Sequence, residues 1–284
     1  MITLREALYL EKGGVVSFVG AGGKTSLMFR IAHELSSAGE TVLTTTTTKI
    51  LMPSKDQSPH VILSDSSGEV LDKARDLIKE NLHISAASQR TDSPLGKIAG
   101  FEPEVIDGIW KAGIFRWILV EADGASRRPL KAPAFHEPVI PYSSRLLIGI
   151  IGLKGIGKPL DERWVFRHKL YAKITGVKPE EPVTEESVAA ALIDKNGILK
   201  GCPYHTKKVV FLNMADNQKL LESGQRIAGI LCKTGIEGLK RVVIGRALYE
   251  PPVVEYHDCS QTEKLDNEKD ILSRKHERTK TRKR

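Results

Sequence analysis

The sequence lacks a long apolar segment. Its longest apolar run, residues 146–153, is far shorter than the ~20 residues that a transmembrane helix requires. The first twelve residues, MITLREALYLEK, contain no apolar stretch of the kind found in secretory signals. We therefore expect no membrane span and no secretion, and we predict a cytoplasmic protein.

Cysteine is scarce and widely spaced. The three cysteines are Cys202, Cys232 and Cys259, and none belongs to a Cys-x-x-Cys pair. This spacing indicates neither a disulfide framework nor a thiolate metal site, and it favours a reducing compartment. His136 and His168 lack metal-ligand spacing, so we predict no histidine-based metal site either.

Positive charge is in excess, but it is unevenly distributed. Residues 274–284 hold seven Lys or Arg and one Glu, so this segment carries +6 of the formal net charge of +8. The rest of the chain has the near-balanced charge of an ordinary globular domain, and we expect no nucleic-acid partner. We predict one folded domain over residues 1–259 and a solvated, disordered basic tail over residues 260–284. Non-specific attraction of the tail to nucleic acid or membranes is the alternative.

Short apolar runs alternate with helical patterns along the chain. Strand, helix, strand order with short connections predicts an α/β fold with a mainly parallel sheet and helices on both faces. Leu27, Ile31 and Leu35 recur on one helix face, with Gly39 as a stop signal, and Thr184 begins a later helix. We predict strands over residues 15–19, 41–44, 116–121, 145–151, 207–212, 242–244 and 253–254, and helices over residues 69–80, 103–110 and 163–174.

A glycine-rich segment joins the first predicted strand to the first predicted helix. Glycines let backbone amides approach phosphate oxygens closely, and the following helix contributes the positive end of its dipole. Lys24 would neutralise the β- and γ-phosphates, and the Thr25 hydroxyl would ligate Mg²⁺. We therefore predict a P-loop NTPase-like fold that binds Mg²⁺ and ATP or GTP through Gly20, Ala21, Gly22, Gly23, Lys24, Thr25 and Ser26.

The predicted loop is shorter than the usual pattern of Gly, four residues, Gly-Lys-Ser/Thr. Phe18 occupies the position where that pattern has its first glycine. The shorter form, Gly-x-x-Gly-Lys-Thr, resembles the loop of the ATP-using Mur ligases. The alternative is a strand-to-helix turn without a ligand.

Two acidic residues end a later predicted strand. Residues two apart on a strand point the same way, so Glu121 and Asp123 can both face the phosphates. With Thr25 they are our predicted Mg²⁺ ligands, and we assign Lys24 and Asp123 to the catalytic step. The five hydroxyls of residues 44–48 could bind phosphate or metal-bound water, but threonine is also simply a good strand former.

A candidate for base recognition follows another predicted strand. Asn213 and Asp216 have the spacing of the Asn-Lys-x-Asp motif with which GTPases read guanine, although Met214 replaces the lysine. Asparagine also ends strands because it favours turns. Both interpretations of this segment stay open.

Together these motifs resemble those of the YqeC-type proteins, described as selenium-dependent hydroxylase accessory or selenium cofactor biosynthesis proteins. The resemblance implies an NTP-dependent step in the maturation of molybdenum hydroxylases that carry a labile selenium. It also implies a molybdenum hydroxylase or its cofactor as partner. The resemblance rests on residues 19–26, 44–49, 120–125, 128–133, Glu137, Pro138, Pro141, residues 157–161, Asn213 and Asp216.

The chain departs from the family pattern at one further element. Where the family has Val-His-Arg, this chain has Val165-Phe166-Arg167, so Arg167 inherits the catalytic role that the resemblance implies. His168 is displaced by two positions and does not inherit the role of the histidine.

Residues 127–138 are rich in cations and proline. Arg127, Arg128 and Lys131 could bind an anionic substrate or the γ-phosphate. A solvated proline-rich loop is the alternative.

Two functional alternatives to an NTPase remain. One is a GTP-gated switch or metallochaperone-like protein, which the Asn213 and Asp216 pair favours. The other is a non-enzymatic binding module that acts through the basic tail.

Overall fold

A nine-stranded sheet forms the centre of the molecule, which we describe from a computed structural model over residues 2–259. The predicted basic tail, residues 260–284, lies outside the described residues. The strands are β1 (Gly14–Gly20), β2 (Val42–Thr46), β3 (Lys49–Leu51), β4 (His60–Leu63), β5 (His83–Ala87), β6 (Gln89–Arg90), β7 (Lys97–Ala99), β8 (Trp117–Glu121), β9 (Leu130–Lys131), β10 (Ser144–Gly152), β11 (Val165–Phe166), β12 (Lys207–Asn213), β13 (Leu239–Gly245) and β14 (Val253–Asp258). The helices are α1 (Leu4–Ala7), α2 (Lys24–Ser37), α3 (Ser67–Leu77), α4 (Pro103–Lys111), α5 (His168–Thr175), α6 (Glu185–Ile193) and α7 (Gln218–Lys233), with a 3₁₀ turn at Leu153–Gly155.

The strand order places β1 in the middle of the sheet. The order is β14-β13-β12-β10-β1-β8-β2-β5-β4, and β14 alone of these strands is antiparallel to its neighbour. All residues of β1 are buried, as expected for a strand covered on both faces of a parallel sheet. The predicted α/β fold of the P-loop NTPase type, with a mainly parallel sheet, is confirmed.

Helices cover both faces of the sheet, as predicted. Val16 and Phe18 of β1 pack with α1 and α2 on one face. Val15 and Val19 point to the other face, where α3 and α4 cover one half of the sheet and α5, α6 and α7 the other. Alternate residues of β1 therefore contribute to separate hydrophobic cores.

The helix signals in the sequence are largely confirmed. Leu27, Ile31 and Leu35 are buried on one face of α2, and Gly39 follows the helix with a φ of 84°. Thr184 caps α6 through the amide of Ser187. Within residues 2–259, no helix is both long and apolar enough to cross a membrane.

The helix predicted over residues 163–174 begins later than expected, at His168. The side chain of Asp161 accepts hydrogen bonds from the amides of Arg163 and Trp164, which stabilises a turn there. Residues 165–166 then form β11, which pairs with β9. Tertiary pairing and the turn therefore override the local helical pattern.

Cys232 and Cys259 form a disulfide, so the sequence-based prediction of no disulfide is wrong. Cys232 lies in the last turn of α7, and Cys259 directly follows β14. Packing of α7 against the sheet edge brings their Cα atoms to 4.6 Å, although the residues are 27 positions apart. This proximity is set by the tertiary fold, and cysteine spacing alone does not reveal it.

Candidate functional site

The predicted site residues gather at the carboxyl ends of the central strands. β1 leads into the glycine loop, and α2 begins at Lys24. The neighbouring strands, β8 and β10, end on either side of this loop. In open parallel sheets, this is the edge where ligands bind.

The glycines of the loop occupy conformations and spaces that exclude other residues. Gly20, Gly22 and Gly23 have φ values of 94°, 85° and 118°. A Cβ atom on Gly20 would lie 2.2 Å from the carbonyl oxygen of Ile150, and one on Gly22 would lie 2.3 Å from the amide nitrogen of Gly152. The close approach of β10 therefore requires glycine at both positions.

The loop presents a row of backbone amides without protein partners. The amides of residues 22–26 donate no hydrogen bond to any group in the described part of the chain. They lie at the first turn of α2, where the helix dipole is positive and Gly23 supplies no capping side chain. The two preceding amides are engaged, since Gly20 donates to Asp123 and Ala21 donates to Ile150. The available anion-binding amides are thus those of residues 22–26.

The Lys24 side chain lies over its own loop, between two carboxylates. Its Nζ donates to the carbonyl oxygen of Gly20 at 2.7 Å and lies 3.2 Å from Asp123 Oδ1 and 3.6 Å from Glu121 Oε1. Burial lowers the pKa of Lys24, but the two carboxylates outweigh it and leave the pKa above its usual value. Lys24 is therefore a buried ammonium.

Thr25 and Glu121 meet beside this ammonium. The Thr25 hydroxyl donates to Glu121 Oε2 at 2.6 Å. Burial raises the pKa of Glu121, and the charge of Lys24 partly opposes that shift. The pairing places the hydroxyl and the carboxylate predicted to hold Mg²⁺ side by side.

The two oxygens of Asp123 differ in their hydrogen bonds. Its Oδ2 accepts from the Gly20 amide at 3.0 Å and from Lys131 Nζ at 2.9 Å. Its Oδ1 is buried and accepts no hydrogen bond from any described residue. The Lys24 ammonium lies 3.2 Å from this oxygen without a well-directed hydrogen bond, so a metal ion could replace that cation as its partner. With the oxygens of Thr25 and Glu121 it forms a donor set of the kind that Mg²⁺ prefers, so these residues fit that ion.

Arg167 is connected to Asp123 through two other side chains. It forms a bidentate pair with Glu137, at 2.5 and 2.9 Å, and Glu137 in turn accepts from Lys131 Nζ at 2.8 Å. Burial raises the pKa of Glu137, but hydrogen bonds from Arg167 and Lys131 outweigh it and lower the pKa to about 2. Arg167, the predicted catalytic residue, thus makes its charged contacts with Glu137 and none with Lys24 or Asp123.

The segment after Asp123 crosses the glycine loop. The carbonyl oxygen of Pro129 accepts from the Gly152 amide at 2.9 Å and would lie 2.8 Å from a Cβ atom on Gly22. Arg128 donates to the carbonyl oxygen of Ser126 in its own segment and to that of Glu162. Arg127 is exposed and has a left-handed φ of 59°. This arrangement leaves Arg127 as the solvent-facing cation of the segment.

The threonine run has a structural role in β2. The hydroxyl of Thr44 bonds to Ser85 of β5, and that of Thr46 donates to the carbonyl oxygen of Glu121. Thr45 and Thr47 likewise donate to backbone carbonyls. The hydroxyls of residues 44–46 link β2 to β5 and β8, and that of Thr47 binds the loop at Val139, which supports the strand-forming interpretation.

The two residues of the base-recognition candidate occupy different positions. Asn213 is buried, and its Nδ2 donates to the carbonyl oxygen of Gly22 at 2.7 Å. Asp216 pairs with Lys154 at 2.6 Å and is partly exposed. Asn213 thus contacts the glycine loop itself, while Asp216 lies farther out beside Lys154.

Sequence reasoning did not identify the interior position of Lys131 or its bonds to Asp123 and Glu137. Lys131 is fully buried, so it is not a surface cation of a solvated loop. The one signal available was its strand partner, since β9 and β11 align Lys131 with Phe166, next to Arg167. A two-residue parallel pairing is too short to be read from sequence periodicity.

Comparison with known proteins agrees with the motifs. The model of the family described as "YqeC protein" matches residues 16–169, which is more than half of the chain. The chain is also 37% identical over 199 residues to the "Uncharacterized protein YqeC" of Escherichia coli (strain K12), covering 70% of this chain and 75% of that protein. The match contains the glycine loop, both carboxylates and the Lys131, Glu137 and Arg167 side chains. The chain therefore belongs to the YqeC family.

Proposed function

We propose that this protein binds a Mg²⁺–nucleoside triphosphate at residues 20–26 and cleaves or transfers its terminal phosphoryl group. One observation carries the proposal. A buried ammonium, a hydroxyl and two carboxylates converge beside a row of unpartnered amides, contributed by Lys24, Thr25, Glu121 and Asp123. Such an arrangement provides the groups that bind phosphate and the oxygen ligands that bind a metal ion.

The loop amides and Lys24 would bind the phosphates. The amides of residues 22–26 lie at the positive end of α2 without a partner among the described residues, so an anion would displace no hydrogen bond on binding them. Lys24 would leave the carbonyl oxygen of Gly20 and turn towards the β- and γ-phosphates. There its ammonium would stabilise the charge that develops during phosphoryl transfer.

Thr25, Glu121 and Asp123 would hold Mg²⁺. When bound there, Mg²⁺ would supply positive charge that neutralises part of the charge of the phosphates. The Asp123 atom for this role is Oδ1, since Oδ2 is engaged by Gly20 and Lys131. Glu121 would keep its contact with Thr25, which orients the hydroxyl at the start of α2.

The proposal extends to the biological setting that the family resemblance implies. The reaction would serve the maturation of selenium-dependent molybdenum hydroxylases in the cytoplasm, with the hydroxylase or its cofactor as partner. The motifs shared with the family support this setting. Arg127 is exposed two residues before Pro129, whose carbonyl oxygen approaches Gly22, and it would contact the anionic acceptor or the γ-phosphate.

A GTP-gated switch is the second candidate. Asp216 favours it, because this carboxylate follows β12 and lies beyond Asn213, which contacts the glycine loop. A carboxylate there could accept hydrogen bonds from a guanine base, and Lys154 would have to release it.

Equilibrium binding tests the main proposal. We would titrate ATP and GTP into the wild-type protein, into Lys24→Ala and into the control Lys12→Ala, whose lysine is exposed before β1. Lys24→Ala should lose at least about tenfold in affinity, since a hydrogen bond to a charged group contributes ~1.5–3 kcal/mol. Lys12→Ala should bind as wild type. If the wild-type protein binds neither nucleotide, the proposal is wrong.

Hydrolysis and base preference then separate the alternatives. A strong GTP preference that Asp216→Asn removes would favour the switch. A chain truncated after residue 259 that still releases phosphate would show that the tail is accessory. Nucleotide binding without any phosphate release, together with loss of partner binding on truncation, would favour the non-enzymatic binding module.

A further inference from the structure

Lys131 is a fully buried lysine beside the candidate site that the proposed function leaves without a role. Its Nζ donates to Asp123 Oδ2 at 2.9 Å, to the carbonyl oxygen of Gly124 at 2.6 Å and to Glu137 Oε2 at 2.8 Å. An ammonium has three N–H donors, so all of them are engaged. Lys131 would have to break these bonds to reach a phosphate, which would remove a cation from between two buried carboxylates.

We propose that Lys131 is a positioning residue that fixes the orientation of the Asp123 carboxylate, so that one of its oxygens faces Lys24 and the candidate metal site. The inference rests on the proposed function, because it assigns a role at the same site. The terminal torsion of aspartate is soft and nearly two-fold, so hydrogen bonds determine its setting. Lys131 and the Gly20 amide both donate to Oδ2 and thereby hold Oδ1 towards Lys24.

Glu137 and Arg167 hold Lys131 in turn. The bidentate guanidinium fixes the plane of the Glu137 carboxylate, and Oε2 of that carboxylate accepts from Lys131. The pairing of β9 with β11 sets Lys131 opposite Phe166, which precedes Arg167. Arg167 therefore acts on the site through Glu137 and Lys131, as a positioning residue.

This arrangement predicts that removal of Lys131 affects metal binding but not metal-free binding of the nucleotide. Loss of Lys131 should weaken metal binding, because Asp123 Oδ1 is no longer held in place. It should leave metal-free binding of the nucleotide unchanged, because the amides of residues 22–26 and Lys24 keep their positions. A lysine that contacted phosphate would instead contribute to nucleotide binding without metal.

The test uses Mn²⁺ as probe with the full-length protein. Bound Mn²⁺ is measured by electron paramagnetic resonance in the presence of a saturating non-hydrolysable triphosphate analogue. Metal-free affinity for the same analogue is measured by calorimetry with EDTA. The variants are Lys131→Met, Lys131→Arg as the conservative replacement, and Arg241→Met as the control. The control removes another largely buried cation, which pairs with Asp258 away from the site.

We expect Lys131→Met to lose about tenfold or more in Mn²⁺ affinity, as is typical when a residue that orients a metal ligand is removed. Lys131→Arg should recover part of that loss, and Arg241→Met should show none. Metal-free affinity should stay within about twofold of wild type in all three. A fall in metal-free affinity for Lys131→Met alone would make Lys131 a phosphate ligand and overturn the inference.

A second variant covers the case in which Lys131→Met does not fold. Glu137→Gln keeps the shape of the side chain and removes its charge, and it should lower Mn²⁺ affinity in the same direction by a smaller factor. Unchanged Mn²⁺ affinity in both Glu137→Gln and Lys131→Arg would overturn the inference. If the wild-type protein binds the analogue but Mn²⁺ affinity does not depend on Lys131, the inference alone fails. If it binds no analogue, the proposed function fails as well.

Discussion

Asn213 donates a hydrogen bond from Nδ2 to the carbonyl oxygen of Gly22 at 2.7 Å. Its Oδ1 accepts from the amide of Ala247 at 2.8 Å. The side chain therefore links the glycine loop to the ends of both β12 and β13. A contact with loop backbone supports the phosphate site whatever base the nucleotide carries. Base selection would then depend on Asp216, three positions later.

Asn213→Ala should weaken ATP and GTP binding by the same factor. Removing this buried hydrogen bond leaves Gly22 without its partner and should cost ~1–2 kcal/mol, or about five- to thirtyfold in affinity. Titration calorimetry with both nucleotides measures the two losses, and Asn196→Ala, at an exposed position, is the control. A loss confined to GTP would show that Asn213 itself reads the base.

Lys24→Met should bind Mn²⁺ more tightly than the wild-type protein when no nucleotide is present. Lys24 Nζ lies 3.2 Å from Asp123 Oδ1 and 3.6 Å from Glu121 Oε1, so it neutralises the carboxylates that a metal ion would use. Methionine has a similar length and no charge. Mn²⁺ titration followed by electron paramagnetic resonance gives the comparison, with Lys12→Met as the control. Equal affinities would mean that Lys24 does not compete with the ion.

The stability contributed by Glu137 should decline in acid. Burial alone would raise the pKa of Glu137, but Arg167 and Lys131 bring it from 4.5 to about 2, so the folded state favours the ionised form. The contribution is therefore complete above the ordinary pKa of 4.5 and is lost as the pH falls towards about 2. Urea unfolding at several pH values gives the difference in unfolding free energy between wild type and Glu137→Gln. This difference should become smaller as the pH falls from 4.5 towards about 2.

The exposed Glu237 supplies the control for that experiment. Glu237→Gln should leave the unfolding free energy close to wild type throughout the same pH range. A gap for Glu137→Gln that widened in acid would contradict the assignment of the lowered pKa to this carboxylate.

The disulfide between Cys232 and Cys259 should stabilise the oxidised protein. It joins residues that are 27 positions apart, for which chain entropy predicts about 3.5 kcal/mol. Cys232→Ser should lose this amount in denaturant unfolding without reductant, and the difference should vanish in dithiothreitol. Cys202→Ser, which leaves the bridge intact, is the control. A wild-type protein of equal stability in both conditions would show that the bridge contributes nothing.

The central part of the fold could be predicted because its local signals agree. β1 is a continuous apolar run, α2 has a clear helical period, and the glycines between them mark a turn. The strand that ends at Glu121 is likewise a short apolar run that the sequence reveals. These elements carry the loop and both carboxylates, so the position of the candidate site was also predictable.

Other parts depend on contacts that the sequence does not reveal. The edge strand β4 is short and mostly half-buried, and α7 was missed although Asn217 caps it. Lys131, Glu137 and Arg167 assemble through a two-residue strand pairing and side-chain bonds. The disulfide likewise results from the packing of α7 at the edge of the sheet. In each case contacts between distant parts of the chain determine the structure, and the local sequence pattern does not predict them.

The close packing around the glycine loop has an evolutionary consequence. The spaces beside Gly20, Gly22 and Gly23 are filled by Ile150, Gly152 and Asn213. Selection to keep the fold therefore preserves these glycines independently of any ligand. A descendant that had lost its nucleotide would still carry the glycine pattern, so its loss of activity would first become visible at Lys24, Thr25 and Asp123.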